Sequence, residues 1–252
     1  MSDPRTATFR AVALPAIEGV EGWLSEGQAE RLWDAAARCP ADGRIVEIGS
    51  FRGRSTVVLA LAAPAEAELI AIDPHAGNDR GPQELDGFED AAASDHEVFL
   101  ANLARAGVQD RVRHLRAFSH DALGDANGPI DVLYIDGAHR YGPARQDIVE
   151  WGALVEPGGT MLIHDSFSSI GVTLAILREL LVGEFRYVGR TRSLAEYRRD
   201  APASPAARGA NALRQLAQLG WFVRNVALKV ALSAGAGRCW RRLGRPEPEW
   251  PY

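Results

Sequence analysis

Short apolar stretches alternate with helix-like stretches through the middle of the chain, and this alternation constrains the fold most. Arg44–Gly49 and Glu68–Asp73 are rich in Ile, Val and Leu and have the length of buried strands. Between them, Ser55–Ala63 has the pattern of a helix. Strands that alternate with helices imply a parallel sheet with right-handed crossovers. We therefore predict an α/β fold: a Rossmann-like, doubly wound, mostly parallel sheet with helices on both faces.

The alternation continues to residue 164 and divides the chain into three parts. We predict an N-terminal helical extension at 1–42, a main domain at 43–199, and a linker with a helical tail at 200–252. The further elements predicted are helices at Trp23–Arg38, Ser94–Ala106, Ala144–Leu154 and Ala212–Ala231, strands at Val112–Ala117, Ile130–Asp136 and Thr160–His164, and an Ala- and Pro-rich linker at Asp200–Gly209.

Charge is unevenly distributed along the 252 residues, whose formal net charge is −5. This acidic balance gives no reason to expect a nucleic-acid partner. Residues 186–252, however, contain 13 Lys and Arg against 4 Asp and Glu. Three interpretations of this basic, apolar tail stay open: packing on the main domain or on a second subunit, contact with a membrane surface, or a site for an acidic acceptor. We favour packing, at the contact of a homodimer.

Cysteine usage and the N-terminus predict a cytoplasmic protein. Cys39 and Cys239 lie far apart and form no CxxC or Cys/His pattern, which argues against a disulfide framework or a zinc site. Met1–Arg10 lacks the apolar core of a secretory signal. The chain has no run of about 18 apolar residues, so we predict no membrane-spanning helix.

A glycine-rich turn, Glu47-x-Gly49-x-x-x-Gly53, joins the first predicted strand to a helix. Glycines there let the backbone pass close to a nucleotide-like ligand, which the first N–H groups of the helix also face. The spacing is not GxGxxG, which disfavours a dinucleotide and hence a dehydrogenase. Asp73 ends the second strand, where a carboxylate accepts hydrogen bonds from ribose hydroxyls. Capping the strand end is its alternative role.

The long connection Pro74–Ala93 follows this second strand. Ligands of doubly wound sheets bind beyond the carboxyl ends of the strands, where such a loop emerges. We predict a lid, with a surface insertion as the alternative.

The motifs together resemble those of class I methyltransferases, which use S-adenosylmethionine. Val46–Gly53 is similar to their first motif and Ile72-Asp73-Pro74 to their second. Within that class the similarity is to bacterial sugar and natural-product O-methyltransferases related to the catechol O-methyltransferase group, and it covers roughly Gly43–Arg190. Its signature here consists of Tyr134–Tyr141, Asp147, Pro157-Gly158-Gly159 and His164-Asp165.

The resemblance implies S-adenosylmethionine as the cofactor and a set of residues that bind it. Ser119 and His120 match the segment that meets the adenine in relatives, although Ser119 also suits a helix N-cap. The predicted cofactor-binding residues are Glu47, Gly49, Gly53, Ser55, Asp73, Ser119, His120 and Asp136.

Asp136, His164 and Asp165 form a predicted metal site. They end two neighbouring predicted parallel strands, so they reach the same edge of the sheet. Two carboxylates with an imidazole or waters suit Mg²⁺ or Mn²⁺, which would lower the pKa of an acceptor hydroxyl. His164 stands where relatives carry an oxygen ligand; it either coordinates the ion or orients Asp165.

His139 is the predicted general base. It follows Asp136 by three residues, and an imidazole that titrates near neutral pH suits removal of the hydroxyl proton. Related sugar O-methyltransferases carry their proposed base at the matching position. A loop-packing role is the alternative. Tyr141 and Asp147 are candidates to steady the imidazole, although a solvated helix face would explain Asp147 equally well.

These features predict methyl transfer from S-adenosylmethionine to a hydroxyl of a sugar or glycoside. A phenolic or other small-molecule hydroxyl is the first alternative. The second is a binding protein that kept the fold and lost catalysis, against which the intact Asp136, His139 and Asp165 argue.

Overall fold

The computed structural model describes residues 4–75, 89–126 and 128–233. Among these residues, seven strands form one sheet in the order β3-β2-β1-β4-β5-β7-β6. The first five are parallel, and β7 runs antiparallel to β5 and β6. The predicted mostly parallel, Rossmann-like sheet is confirmed. The strands are β1 (Arg44–Ile48), β2 (Glu68–Ile72), β3 (Val112–Leu115), β4 (Ile130–Ile135), β5 (Val155–Ile163), β6 (Phe185–Thr191) and β7 (Leu194–Arg199).

Helices cover both faces of the sheet, as predicted. They are α1 (Pro4–Ile17), α2 (Glu26–Ala36), α3 (Arg54–Ala62), α4 (Glu89–Arg105), α5 (Ser119–Ala122), α6 (Tyr141–Glu150), α7 (Ile170–Glu179), α8 (Pro205–Leu216) and α9 (Leu219–Ser233).

Two apolar cores lie on the two faces because neighbouring residues of a strand point to opposite sides. In β1, Ile45 packs into a first core with α1, α2, α3 and α4. The next residue, Val46, packs into a second core with α5, α6 and α7. Both faces of the parallel strands are therefore buried, which explains why these strands are almost continuously apolar.

The structure differs from the predicted elements at the carboxyl-terminal edge of the sheet. The antiparallel β6–β7 pair and α7 were not predicted. β5 begins at Val155, before the predicted Thr160, and its pairing with β4 shifts in register across the Pro157-Gly158-Gly159 turn. Most of the predicted lid, Pro74–Ala93, lies outside the described residues.

The basic tail packs on its own chain in the part that the structure describes. α8 begins inside the predicted linker because Ser204 caps it by accepting from the Ala207 N–H at 3.2 Å. The helix predicted over Ala212–Ala231 is interrupted between α8 and α9. The buried Asn211 side chain accepts from the Tyr187 N–H at 2.8 Å and so fastens α8 to β6. Among the described residues, none of the helices combines the length and apolar character needed to cross a bilayer.

Candidate active site

The loop after β4 carries Asp136 and His139, and two glycines allow it to pack closely. A Cβ on Gly49 would lie 2.2 Å from the Asp136 carbonyl oxygen, and Gly49 has a φ of +86°. A Cβ on Gly171, in the first turn of α7, would lie 2.2 Å from the His139 carbonyl oxygen. Side chains at either position would push the loop away. The glycine of the first motif therefore positions Asp136 through its backbone.

His139, in the loop after β4, contacts Asp165, which follows β5, at this edge of the sheet; this contact was not predicted. His139 Nε2 lies 2.9 Å from Asp165 Oδ2, and the His139 side chain is 25% exposed. Asp136 lies beside them and accepts a hydrogen bond from the buried Tyr134 hydroxyl at 2.9 Å. An imidazole held by a carboxylate, with one part open to solvent, can accept a proton from a bound molecule.

His164 lies beneath this pair, between the two carboxylates. Its Nδ1 is 3.2 Å from Asp165 Oδ2 and 3.3 Å from Asp136 Oδ1. The His164 side chain is only 1% exposed. This arrangement supports the orienting role for His164.

Gln28 of α2 contacts the other side of His164, a contact that was not predicted. The Ser25 N–H donates to Gln28 Oε1 at 2.9 Å, so the Gln28 amide nitrogen points to Ser193 Oγ and to His164 Nε2, each at 3.1 Å. The amide donates to Nε2, which must then carry a lone pair. The proton of His164 is thereby placed on Nδ1, facing the carboxylates. Ser25-x-x-Gln28 is a capping pattern, which predicts a helix start but no such contact.

The electrostatics of this group are tightly coupled. Burial lowers the pKa of His164, but Asp136 and Asp165 outweigh it and raise that pKa to about 10. The Gln28 amide hydrogens act in the opposite direction, because a proton on Nε2 would face them. Because the Gln28 amide donates to Nε2, we infer that the His164 imidazole is neutral. For Asp165, burial favours the neutral acid, but the hydrogen bonds from His164 and His139 hold its pKa below the usual range, so the carboxylate is charged.

Replacing Gln28 with glutamate tests whether the Gln28 amide places the proton of His164 on Nδ1. A carboxylate at Nε2 would stabilise a doubly protonated His164 and place a positive charge between Asp136 and Asp165. We expect a loss of roughly 10–100-fold in activity or metal affinity, the usual effect of removing such a supporting contact. The protonation of His164 should change in NMR spectra of the ring nitrogens. The Gln109→Glu variant, which changes an exposed glutamine, is the control. An unchanged His164 spectrum in Gln28→Glu would show that Gln28 does not set the protonation of His164.

Asp136, His139 and Asp165 can share one ion. One ligand atom from each lies within 4.8 Å of the other two. Of the predicted ligands, Asp136 and Asp165 belong to this group, and the structure brings His139 rather than His164 into it. Two carboxylates and an imidazole fit a divalent cation, and the imidazole makes Mn²⁺ at least as suitable as Mg²⁺.

Glu47 is buried behind the glycine loop, where it joins β1 to α3. Thr56 Oγ1 donates to Glu47 Oε2 at 2.5 Å, and the Ser55 hydroxyl donates to the other carboxylate oxygen. Burial raises the pKa of Glu47 to about 8, although the two hydroxyls lower it. Gly53 precedes α3 with a φ of +85°. Glu47 and Ser55 were predicted to bind the cofactor, and the contacts that the structure gives them are to each other.

Asp73 organises the loops at the ends of β1 and β2. Its Oδ2 accepts from the Phe51 N–H and its Oδ1 from the His75 N–H, both at 2.7 Å. The capping role is therefore present. Each carboxylate oxygen has a further lone pair, so that ribose binding by Asp73 stays a prediction.

Ser119 and His120 begin α5 and reach toward α6. The Ser119 hydroxyl donates to the buried Asp147 carboxylate at 2.5 Å. Burial raises the pKa of Asp147 to about 6. His120 is exposed, with its Nδ1 3.1 Å from Glu150 Oε2. Asp147, a candidate to steady the His139 imidazole, accepts its hydrogen bond from Ser119. Tyr141, the other candidate, lies at the start of α6 and is exposed.

The tail helix α9 packs against the loop after Asp165. Asn225 Nδ2 donates to the Phe167 carbonyl at 3.3 Å, and Lys229 Nζ donates to the Ser168 carbonyl at 3.0 Å. Asp165 and Phe167 have φ values of +53° and +55°, a strained region for residues other than glycine. The tail thus supports a strained loop that carries a candidate active-site carboxylate.

The chain is similar in sequence to known methyltransferases. Residues 46–166 match the family described as "Methyltransferase domain". A catechol O-methyltransferase of Mycobacterium tuberculosis is 28% identical over 133 residues, which are 52% of this chain and 51% of the relative. A catechol O-methyltransferase of Niastella koreensis is 25% identical over 173 residues, 67% of this chain and 66% of the relative. The matches thus span about half and about two thirds of these relatives.

Two solved structures share the fold. The O-methyltransferase NovP superposes with a TM-score of 0.57 at 18% identity, covering 70% of this chain and 81% of NovP. The cofactor-bound protein Rv0187 from MTB superposes with a TM-score of 0.52 at 22% identity, covering 79% of this chain and 91% of that protein. Together with the family match over residues 46–166 and the two curated relatives, the shared fold confirms the similarity of the motifs to class I methyltransferases.

Proposed function

We propose that this chain, whose residues 46–166 match the methyltransferase domain family, transfers the methyl group of S-adenosylmethionine to a hydroxyl of a small molecule. The observation that carries the proposal is the His139–Asp165 pair, at 2.9 Å, beside Asp136 at the carboxyl edge of the parallel strands. Ligands of doubly wound sheets bind at this edge.

His139 accepts the proton of the acceptor hydroxyl in this proposal. The acceptor oxygen forms a bond to the methyl carbon while the bond from that carbon to the cofactor sulfur breaks, and the sulfonium becomes a neutral thioether. The hydroxyl proton moves to His139, whose positive charge Asp165 then stabilises. Asp165 is suited to this because it is already ionised beside two imidazoles.

Metal assistance is part of the proposal. Asp136 and Asp165 would hold a divalent cation, Mg²⁺ or Mn²⁺, with His164 orienting Asp165 from below. The cation, when bound, lowers the pKa of an acceptor hydroxyl. His139 is close enough to be a third ligand, and its roles as ligand and as base exclude each other in one complex, because both use the same lone pair.

The acceptor that we propose is a sugar or glycoside, the class indicated by the Tyr134–Tyr141 segment. A phenolic acceptor is the second candidate, because the two curated relatives are named catechol O-methyltransferases. The two acceptors differ in acidity, since a phenol ionises near pH 10 and a sugar hydroxyl far above it.

Labelled S-adenosylmethionine and matched panels of glycosides and catechols test the proposed function directly. We expect label in a glycoside product and, under the second candidate, in a catechol. Cofactor binding without transfer to any hydroxylated acceptor would favour the binding-protein alternative.

Asp73→Ala tests the predicted cofactor site. Loss of the carboxylate should weaken S-adenosylmethionine binding roughly 10–100-fold by calorimetry, because charge-assisted hydrogen bonds to the ribose disappear. Asp110→Ala, which changes an exposed acid, is the control. Unchanged affinity would show that Asp73 only caps the loops at Phe51 and His75.

A further inference from the structure

Three histidines gather beside Phe99 of the first core. His75 follows β2, His96 lies in α4 and His114 lies in β3. Their ring centroids are 5.1 Å apart for His75–His96 and for His75–His114, and 5.2 Å apart for His96–His114. One nitrogen of each ring lies within 4.8 Å of the corresponding nitrogens of the other two. None of these residues belongs to the candidate active site.

A backbone carbonyl fixes the tautomer of His75. His75 Nε2 lies 2.7 Å from the Phe51 carbonyl oxygen, which only accepts, so Nε2 carries the proton. This leaves a lone pair on His75 Nδ1, which lies in the cluster together with His114 Nε2.

Both of these nitrogens are buried and, within the described part of the chain, have no hydrogen-bond partner. The His75 side chain is 1% exposed. Buried lone pairs without a donor are costly and call for an explanation. Histidines that bind metals commonly donate their other ring N–H to a backbone carbonyl, which points the free nitrogen at the ion. His75 has this arrangement.

We propose that His75, His96 and His114 bind a transition-metal ion, preferably Zn²⁺, through one nitrogen each. Imidazole suits Zn²⁺, Cu²⁺ and Ni²⁺, and three imidazoles with a water complete a tetrahedral zinc site. Zinc–nitrogen distances of about 2.0–2.1 Å place the three nitrogens roughly 3.3 Å apart. The nitrogens now lie within 4.8 Å of one another, so the rings need to close by at most about 1.5 Å. The spacing of the cysteines argued against a zinc site, but the site proposed here is built from histidines alone.

The protonation of the rings supports this assignment. Burial, together with His75 and His96, lowers the pKa of His114 to about 4. Burial also lowers the pKa of His96. Neutral imidazoles keep their lone pairs available at neutral pH. The ion would tie α4 to β3 and to the end of β2, next to the Asp73 carboxylate.

The test must separate this ion from one at Asp136 and Asp165. An Asp136→Ala/Asp165→Asn double variant removes the carboxylates of the active site and leaves the three histidines intact. We expect this variant to bind one equivalent of Zn²⁺ by calorimetry and to unfold at a higher temperature with the metal. Co²⁺ in place of Zn²⁺ should give the visible absorption of a tetrahedral site.

Adding His96→Ala to this background should weaken Zn²⁺ binding at least tenfold and abolish the cobalt spectrum. His120→Ala, which removes an exposed histidine outside the cluster, is the matched control and should leave zinc binding unchanged. If the alanine variant fails to fold, His114→Gln provides the same comparison. The proposal is overturned if the double variant takes up no zinc, or if zinc binding survives the loss of His96 or His114.

Discussion

Asp165→Asn is expected to lower kcat by roughly 10²–10⁴-fold. Asp165 Oδ2 lies 2.9 Å from His139 Nε2 and 3.2 Å from His164 Nδ1. An asparagine oxygen can still accept both hydrogen bonds, so the shape of the site is kept. The negative charge that stabilises the protonated His139 is lost, and a base supported in this way contributes about that factor.

Two further measurements separate this role from a structural one. His139 without the neighbouring carboxylate holds a proton less tightly, so the acid limb of kcat/KM should move to lower pH. We expect the wild type to lose activity with EDTA and to regain it with Mn²⁺ or Mg²⁺. The variant should require a much higher metal concentration for the same recovery. Asp121→Asn, which changes an exposed acid, is the control. Near-wild-type kcat with an unmoved acid limb would show that Asp165 supports neither His139 nor a metal.

The sequence predicts that Asp136 and Asp165 lie at one edge of the sheet because parallel strands order that edge. Asp136 follows β4 and Asp165 follows β5, and strands of one direction end at one edge. Local patterns specify the strands, the turns and hence that edge. The prediction of which atoms meet fails where the contact is long-range: Gln28 reaches His164 across 136 positions, and no local pattern encodes this.

The histidine cluster and the edge strands were missed for related reasons. His75, His96 and His114 come from three elements, with separations that match no metal motif. β6 and β7 pair antiparallel after an α/β repeat, so the alternation that identifies the other strands ends before them. The tail was predicted to pack at the contact of a homodimer, which stays a prediction; Asn225 and Lys229 show that the described part packs on the loop after Asp165 of its own chain.

His139→Ala is expected to lower kcat by roughly 10²–10⁴-fold, the usual contribution of a positioned base. Affinity for S-adenosylmethionine should barely change, because His139 is proposed to face the acceptor. His139→Gln is the matched variant, since an amide can keep a hydrogen bond to Asp165 but cannot remove a proton near neutral pH. Both variants should lose the same activity if His139 is the base, and the acid limb of kcat/KM should flatten in each.

The rival role of His139 as a metal ligand predicts a different pattern. A ligand variant should require more Mn²⁺ for half-maximal activity and should recover at saturating metal, whereas loss of a base is not repaired by metal. The acceptor gives a second distinction, since a phenol is acidic enough to lose less from removal of the base than a sugar hydroxyl. Near-wild-type turnover of a glycoside by folded His139→Ala at saturating metal would exclude His139 as the base and leave the metal alone to activate the hydroxyl.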